Sequence, residues 1–208
     1  EWLSVEIVRR AFEQADPTKM RGNLIVVPVA NPVAFCVGER HTPDGSETPD
    51  LNRAFPGYWT WISEQLATSI VGNVLSKTHY LIDFHLGSWG TIMASVTYAQ
   101  DLPDKGVVAK SDQMAKAYGY PCINRASVVT VFPGPRSAAA YAAAKMGIPT
   151  IISELGGVGL GKEQEEMWIN RNLVGITNVM KLLGMIDGEQ VLPDRYVVWV
   201  NRWRLNPS

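Results

Sequence analysis

Two residues that could bind a metal or move a proton stand at the end of a predicted buried strand. The stretch "LIDFHLGSWG" holds Asp83 and His85, then Gly87 and Gly90. Successive strand residues alternate between the two faces of a sheet, so Asp83 and His85 are expected to point the same way. A carboxylate beside an imidazole can orient the ring or support it as a metal ligand. A satisfied core histidine with a capping aspartate explains this stretch equally well.

A third candidate, Glu154, ends another apolar strand in "TIISELGGVGLG". A carboxylate at the end of a buried strand is partly removed from water, which would raise its pKa toward the range of a general base. The alternative is a turn or capping acid before the next helix. The glycines that follow lack the spacing of a phosphate-binding loop, so they give only a weak signal for a nucleotide site.

The irregular stretch "ETPDLNRAFPG" places Asn52 directly beside Arg53. A planar guanidinium next to a carboxamide suits bidentate binding of a ligand carboxylate. As an alternative, Arg53 pairs with Asp50 or Glu47. The stretch belongs to a segment, 32–57, that shows no convincing helix or strand period, and loops of that length inside a compact domain tend to be functional or disordered.

The elements that must position these residues alternate between strands and helices. Strands are predicted at 23–30, 79–84, 90–99, 127–132 and 147–155. A first helix is predicted from an apolar stripe of Trp2, Val5, Val8 and Phe12, ending at Asp16-Pro17, and further helices are predicted at 58–77, 106–118, 136–146 and 163–184. This order predicts an open sheet with helices on both faces and ligands beyond the carboxyl ends of the strands.

Composition excludes several classes of partner. The chain has 19 basic and 20 acidic residues and a net charge of -1, so no overall field recruits nucleic acid or an anionic membrane. Its apolar runs are far shorter than the roughly 20 residues of a membrane helix. Cys36 and Cys122 lie far apart, which favours free thiols and a cytoplasmic location. The seven tryptophans could belong to the core, to a pocket or to a subunit interface, so the sequence leaves open whether the protein is a homo-oligomer.

Four stretches together carry a family resemblance: "VVPVANPVAF", "DLNRAFPG", "LIDFHLGS" and "ISELGG". In this order and spacing they resemble the succinylglutamate desuccinylase and aspartoacylase family, relatives of the zinc carboxypeptidases. The resemblance implies an α/β fold with three αβα layers and a mixed, mostly parallel sheet. It also implies a zinc-dependent deacylase that cleaves the amide bond of an N-acyl amino acid, a small-molecule substrate.

The resemblance also implies a metal site with one zinc ion per chain. His85 corresponds to the histidine ligand of the family's D-x-H motif, with Asp83 supporting it. Glu1 stands directly before the first helix, where the family's carboxylate ligand falls. The histidine of the family's H-G-x-E motif has no counterpart in this sequence, and we expect the start of the natural protein to supply it.

The remaining candidate residues receive chemical roles from the same resemblance. Zinc lowers the pKa of its bound water to about 7 and polarises the scissile carbonyl. Glu154 would take the proton and pass it to the leaving amine. Arg40 would steady the oxyanion. Asn52 and Arg53 would hold the carboxylate of the substrate.

The resemblance also suggests a division of the chain. Residues 1–187 are expected to form the catalytic domain, and 188–208, which turn β-rich and basic, the start of an incomplete C-terminal β domain. Two alternatives remain: a zinc carboxypeptidase that acts on peptides, and a non-catalytic binding module of the same fold that has lost its metal.

Overall fold

The computed structural model describes residues 2–43, 50–88, 90–127 and 136–201. Five strands of this part form one sheet in the order β1-β4-β2-β3-β5. Their bounds are β1 Leu81–His85, β2 Met93–Ala99, β3 Cys122–Ala126, β4 Thr150–Gly156 and β5 Val197–Asn201. The pairs β1–β4, β2–β3 and β3–β5 are parallel, and β2–β4 is antiparallel. The predicted mixed, mostly parallel sheet is confirmed.

Helices cover both faces of this sheet. The described residues form α1 Trp2–Gln14, α2 Pro32–Val37, α3 Ile62–Asn73, α4 Lys105–Ala117, α5 Ala138–Lys145 and α6 Lys162–Leu182. On one face α1, α4 and α6 pack around a core that includes Ile151 and Leu155 of β4. On the other face α3 and α5 pack around a second cluster with Phe55 and Ala142. The three-layer αβα architecture is therefore confirmed.

Helix α1 buries a different stripe from the predicted one. Leu3 and Ile7 are buried in the core shared with α6, whereas Trp2 and Phe12 are 56% and 59% exposed. Both stripes have the three- and four-residue spacing of a helix, and periodicity alone does not choose between them. Packing against α6 and the end of β4 selects the stripe of Leu3 and Ile7.

An ion-pair network also fastens α1 to α6. Arg10 donates to Glu6 within α1 and to Glu166 on α6, both at 2.6 Å. Hydrogen bonds from Arg9 and Arg10 lower the pKa of Glu6 to about 2. Helix α1 is thus held against α6 by apolar contacts in its first two turns and by the ion pair of Arg10 further along.

The strand predicted at 23–30 is wrong. None of these residues belongs to a strand, and Ile25 and Val27 are exposed. A β-rich run becomes a strand only when a neighbour supplies its ladder of hydrogen bonds, and Pro28 interrupts the donors of this run.

Strand β3 was not predicted, and most of the strand predicted at 127–132 lies outside the described residues. Ser127 follows β3 without strand structure, and 128–135 lie outside the described residues. The sequence of β3, "CINRA", contains Asn124 and Arg125, which disguise a strand in which Ile123 is fully buried.

The segment 32–57 contains more regular structure than predicted. Asn31 accepts from the backbone N–H of Ala34 at 3.1 Å and starts α2, with Pro32 in the first turn. Gly38 ends this helix with a φ of 71°, a conformation that glycine adopts at little cost. A short 3-10 helix, Leu51–Arg53, then carries two of the candidate site residues.

Part of the β-rich stretch near the end of the chain forms β5, the edge strand beside β3. The assignment of 188–208 to a second domain remains a prediction. Cys36 and Cys122 are both free. No helix in the described ranges has the length and apolar character needed to cross a bilayer.

Candidate active site

Asp83 and His85 meet at the carboxyl end of β1, as their spacing predicts. His85 Nε2 lies 3.3 Å from Asp83 Oδ2, and each side chain is 21% exposed. This distance is at the long end for a hydrogen bond. In the tautomer that carries its hydrogen on Nε2, His85 donates to Asp83, and Nδ1 is then the ring nitrogen suited to a metal.

Glu154 lies beside His85 on the neighbouring strand. The two residues are register partners in the parallel pair β1–β4, and register partners direct their side chains to the same face. Ile151 and Leu155 of β4 face the core under α6, so Glu154 faces the opposite layer, formed by α3 and α5. The structure thus brings His85 and Glu154 together at one edge of the sheet.

Sequence reasoning missed a further polar residue on this face. Ser95 of β2 is the register partner of Glu154 from the other side and is only 7% exposed. Thr97, two residues along β2, is equally buried and pairs with Ile152. The alternation of Ser95 and Thr97 within an apolar strand was the signal that could have revealed a polar row next to Glu154.

The glycines after β1 and β4 allow two loops to pass close to each other. Gly87 donates its N–H to the carbonyl of Gly156 at 3.1 Å. A Cβ placed on Gly87 or on Gly157 would overlap the carbonyl oxygen of Thr91. Backbone packing therefore accounts for these glycines, without a role in phosphate binding.

The start of α1 lies at the same edge of the sheet. Gly156, with φ of 115°, is so close to this helix that a Cβ would lie 3.2 Å from Leu3 Cδ2 and 3.4 Å from Leu86 Cδ2. Leu86 follows the end of β1, and Gly156 is the last residue of β4. The first turn of α1 therefore packs at the end of the sheet where β1 and β4 end, on the face away from His85 and Glu154. Glu1 itself lies outside the described residues, and its role as a metal ligand stays a prediction.

Asn52 fastens its loop to the start of α5. Its Oδ1 accepts from the backbone N–H of Ala138 at 3.1 Å, and the N–H of Phe55 donates to the carbonyl of Arg136 at 3.1 Å. Only residues 146–149 separate α5 from β4, so α5 runs back along the sheet. Its first turn, and with it Asn52, lies toward the edge where β4 ends.

The two arginines of this loop differ in their surroundings. Arg40 donates through Nε and Nη2 to Asp50 Oδ2 at 3.1 and 2.9 Å, while Asp50 Oδ1 accepts from the N–H of Asn52 at 2.9 Å. Arg53 is exposed and donates to the carbonyl of Asn52 at 2.7 Å. Asp50 therefore pairs with Arg40, and the predicted alternative of an Arg53–Asp50 pair is wrong. Glu47, the other predicted partner, lies outside the described residues.

The ranges that the structure describes contain no group of three His, Cys, Asp or Glu side chains placed to hold a metal ion. Of the predicted ligands, these ranges contain His85 with Asp83 beside it.

Comparison with known proteins shows which family the chain resembles. A family model, the succinylglutamate desuccinylase/aspartoacylase catalytic domain, matches residues 1–183. Curated proteins give no match. Among solved structures, a succinylglutamate desuccinylase/aspartoacylase from Rhodobacter sphaeroides has 23% identity and a TM-score of 0.78, covering 94% of this chain and 55% of its own. The product-bound ectoine utilization protein EutE (DoeB) from Ruegeria pomeroyi has 24% identity and a TM-score of 0.80, covering 96% and 58%.

An aspartoacylase family protein from Mesorhizobium loti is similar to the same degree, with 22% identity and a TM-score of 0.76, covering 97% of this chain and 58% of its own. The chain thus spans little more than half the length of these structures, and at such identities the likeness shows a shared fold. The match of the family model is the stronger finding, because it extends from residue 1 to residue 183. The chain belongs to the succinylglutamate desuccinylase/aspartoacylase family.

Proposed function

We propose that this chain supplies the catalytic domain of a zinc-dependent deacylase that hydrolyses the amide bond of an N-acyl amino acid. The observation that carries the proposal is the placement of His85 and Glu154 side by side at the ends of β1 and β4. A metal-ligating imidazole next to a carboxylate base is the pairing that metal-assisted amide hydrolysis needs. Membership of a family of deacylases supports this reading.

The donor chemistry at this edge fits zinc. Imidazole is a common zinc ligand, and Asp83, at 3.3 Å from Nε2, is the kind of outer carboxylate that orients such a ring. His85 would bind through Nδ1, and Glu1, which directly precedes α1 in the sequence, would add a carboxylate. Zinc bound there would act as a Lewis acid on the scissile carbonyl.

Glu154 would serve as the proton carrier. Its carboxylate would accept a proton from the attacking water and return it to the leaving amine, so that both halves of the reaction use one residue. Ser95 is the register partner of Glu154 on the side away from His85. A small hydroxyl, and not a bulky side chain, would therefore stand next to the carboxylate on that side.

The loop of Asn52 and Arg53 would bind the carboxylate of the substrate. Because Asn52 Oδ1 is bonded to Ala138, its Nδ2 group is the part that would donate to a carboxylate. The exposed guanidinium of Arg53 would add a charged donor. Arg40 is paired with Asp50, and its role at the oxyanion remains part of the proposal.

The metal site is tested by elemental analysis of the His85→Ala variant beside wild type. We expect wild type to contain about one zinc per chain and the variant to contain roughly a tenth of that or less, because an imidazole ligand is gone. His79→Ala serves as the matched control, since His79 is exposed. Unchanged zinc content in His85→Ala would remove this histidine from the metal site.

A further inference from the structure

A fully buried asparagine lies behind the strand that carries Glu154. Asn172 of α6 is 1% exposed, yet all of its side-chain hydrogen-bonding groups have partners. Oδ1 accepts from Tyr118 Oη and from Ser153 Oγ, each at 2.7 Å. Nδ2 donates to the carbonyls of Trp168 at 2.8 Å and Leu155 at 3.3 Å. Because carbonyls only accept, this orientation of the amide is fixed by its chemistry.

Two of these four partners flank Glu154 in the sequence. Ser153 and Leu155 are each 1% exposed and face α6, while Glu154 faces the opposite layer. Asn172 is therefore hydrogen-bonded to β4 on both sides of Glu154, to the side chain of Ser153 and to the backbone carbonyl of Leu155. These bonds reach β4 from the face of the sheet that lies away from His85.

The other two hydrogen-bond partners hold the side chain of Asn172 in place. Trp168 lies one turn before Asn172 on α6, and Tyr118 follows α4. Burial raises the pKa of Tyr118, so its hydroxyl stays protonated and keeps donating. Gly175 of α6 leaves room for the ring, since a Cβ there would overlap Tyr118. Hydrogen bonds to Tyr118, which follows α4, and to Trp168 of α6 thus fix the position of the Asn172 amide independently of its contacts with β4.

We propose that Asn172 is a positioning residue that fixes the backbone of Glu154 through Ser153 and Leu155. A well-packed apolar side chain could fill the same volume, so a core alone does not require a buried amide. The proposal rests on the proposed function, because Glu154 is its object. Small displacements of a catalytic group lower kcat strongly while substrate binding elsewhere is unaffected.

Two matched variants separate this role from a merely structural one. Ser153→Ala and Tyr118→Phe each remove one buried hydroxyl that donates to Asn172 Oδ1 at 2.7 Å, so both are expected to lower the Tm. Ser153→Ala removes one of the two hydrogen bonds that join Asn172 to β4, whereas Tyr118→Phe leaves both of them in place. We expect it to lower kcat about tenfold with KM within about twofold, whereas Tyr118→Phe keeps kcat within about twofold of wild type.

Amide hydrogen exchange of β4 in the same proteins tests, without an activity assay, whether Asn172 fixes the backbone around Glu154. Exchange at Glu154 should become about tenfold faster in Ser153→Ala and change little in Tyr118→Phe. Equal kcat and equal exchange in the two variants, whether both fall or neither does, would overturn the positioning role. A wild type that fails to hydrolyse any N-acyl amino acid would instead overturn the proposed function, and the exchange rates would still decide whether Asn172 fixes β4.

Discussion

The Glu154→Gln variant is expected to lose about 10²–10⁴-fold in kcat toward an N-acyl amino acid while it keeps its zinc. Glutamine has nearly the shape of glutamate, but it cannot take a proton from water. Glu154 is half-buried beside His85, and a neutral amide there leaves the sheet and the metal ligand in place. Steady-state kinetics together with elemental analysis of the same preparation measure both halves of this expectation.

Glu163→Gln is the matched control for this experiment. Glu163 is an exposed carboxylate in the first turn of α6, which packs on the face of the sheet opposite to Glu154, so its neutralisation removes the same charge without altering the reacting groups. We expect wild-type kcat in this control. Wild-type turnover in Glu154→Gln would remove Glu154 from the mechanism, and loss of zinc in that variant would assign it to the metal site instead.

The Gly87→Ala variant is expected to be the most destabilising of the single methyl additions near the site. The new Cβ would overlap the carbonyl oxygen of Thr91, a backbone atom that cannot move aside without shifting the loop between β1 and β2. Overpacking of this kind costs about 1–3 kcal/mol in the free energy of unfolding. Urea denaturation followed by circular dichroism measures it.

Gly72→Ala provides the control with the opposite sign. Gly72 lies in α3 with open space where a Cβ would stand, so alanine should raise the free energy of unfolding by about 0.5–1 kcal/mol. A Gly87→Ala protein as stable as wild type would show that Thr91 does not approach Gly87 so closely within the loop between β1 and β2.

The strand ends could be predicted from the sequence because polar residues there interrupt strongly apolar runs. Asp83 and His85 share a face by simple alternation, and Glu154 ends the other apolar strand. The sequence could not show that β1 and β4 are neighbours in register. That pairing depends on how the helices fold back over the sheet, and it is what brings His85 next to Glu154.

Other features depended on contacts between distant parts of the chain. The run 23–30 has the composition of a strand but gains no ladder in the described structure, whereas the polar sequence of β3 lies between two strands that supply one. Asn172 resembles an ordinary surface residue in a helical pattern. Its spacing from Trp168, Ile169 and Ile176, which are all buried in α6, was the local signal that it faces the core.

The most direct test of the account is the release of free amino acid from N-acetyl and N-succinyl amino acids and from dipeptides by the zinc-loaded protein. The account predicts kcat/KM at least about tenfold higher for one or more of the N-acyl amino acids than for any dipeptide, with loss of activity on chelation. Hydrolysis of the dipeptides alone would contradict it in favour of a carboxypeptidase. A protein that neither binds zinc nor hydrolyses either class would be a binding module with the family fold.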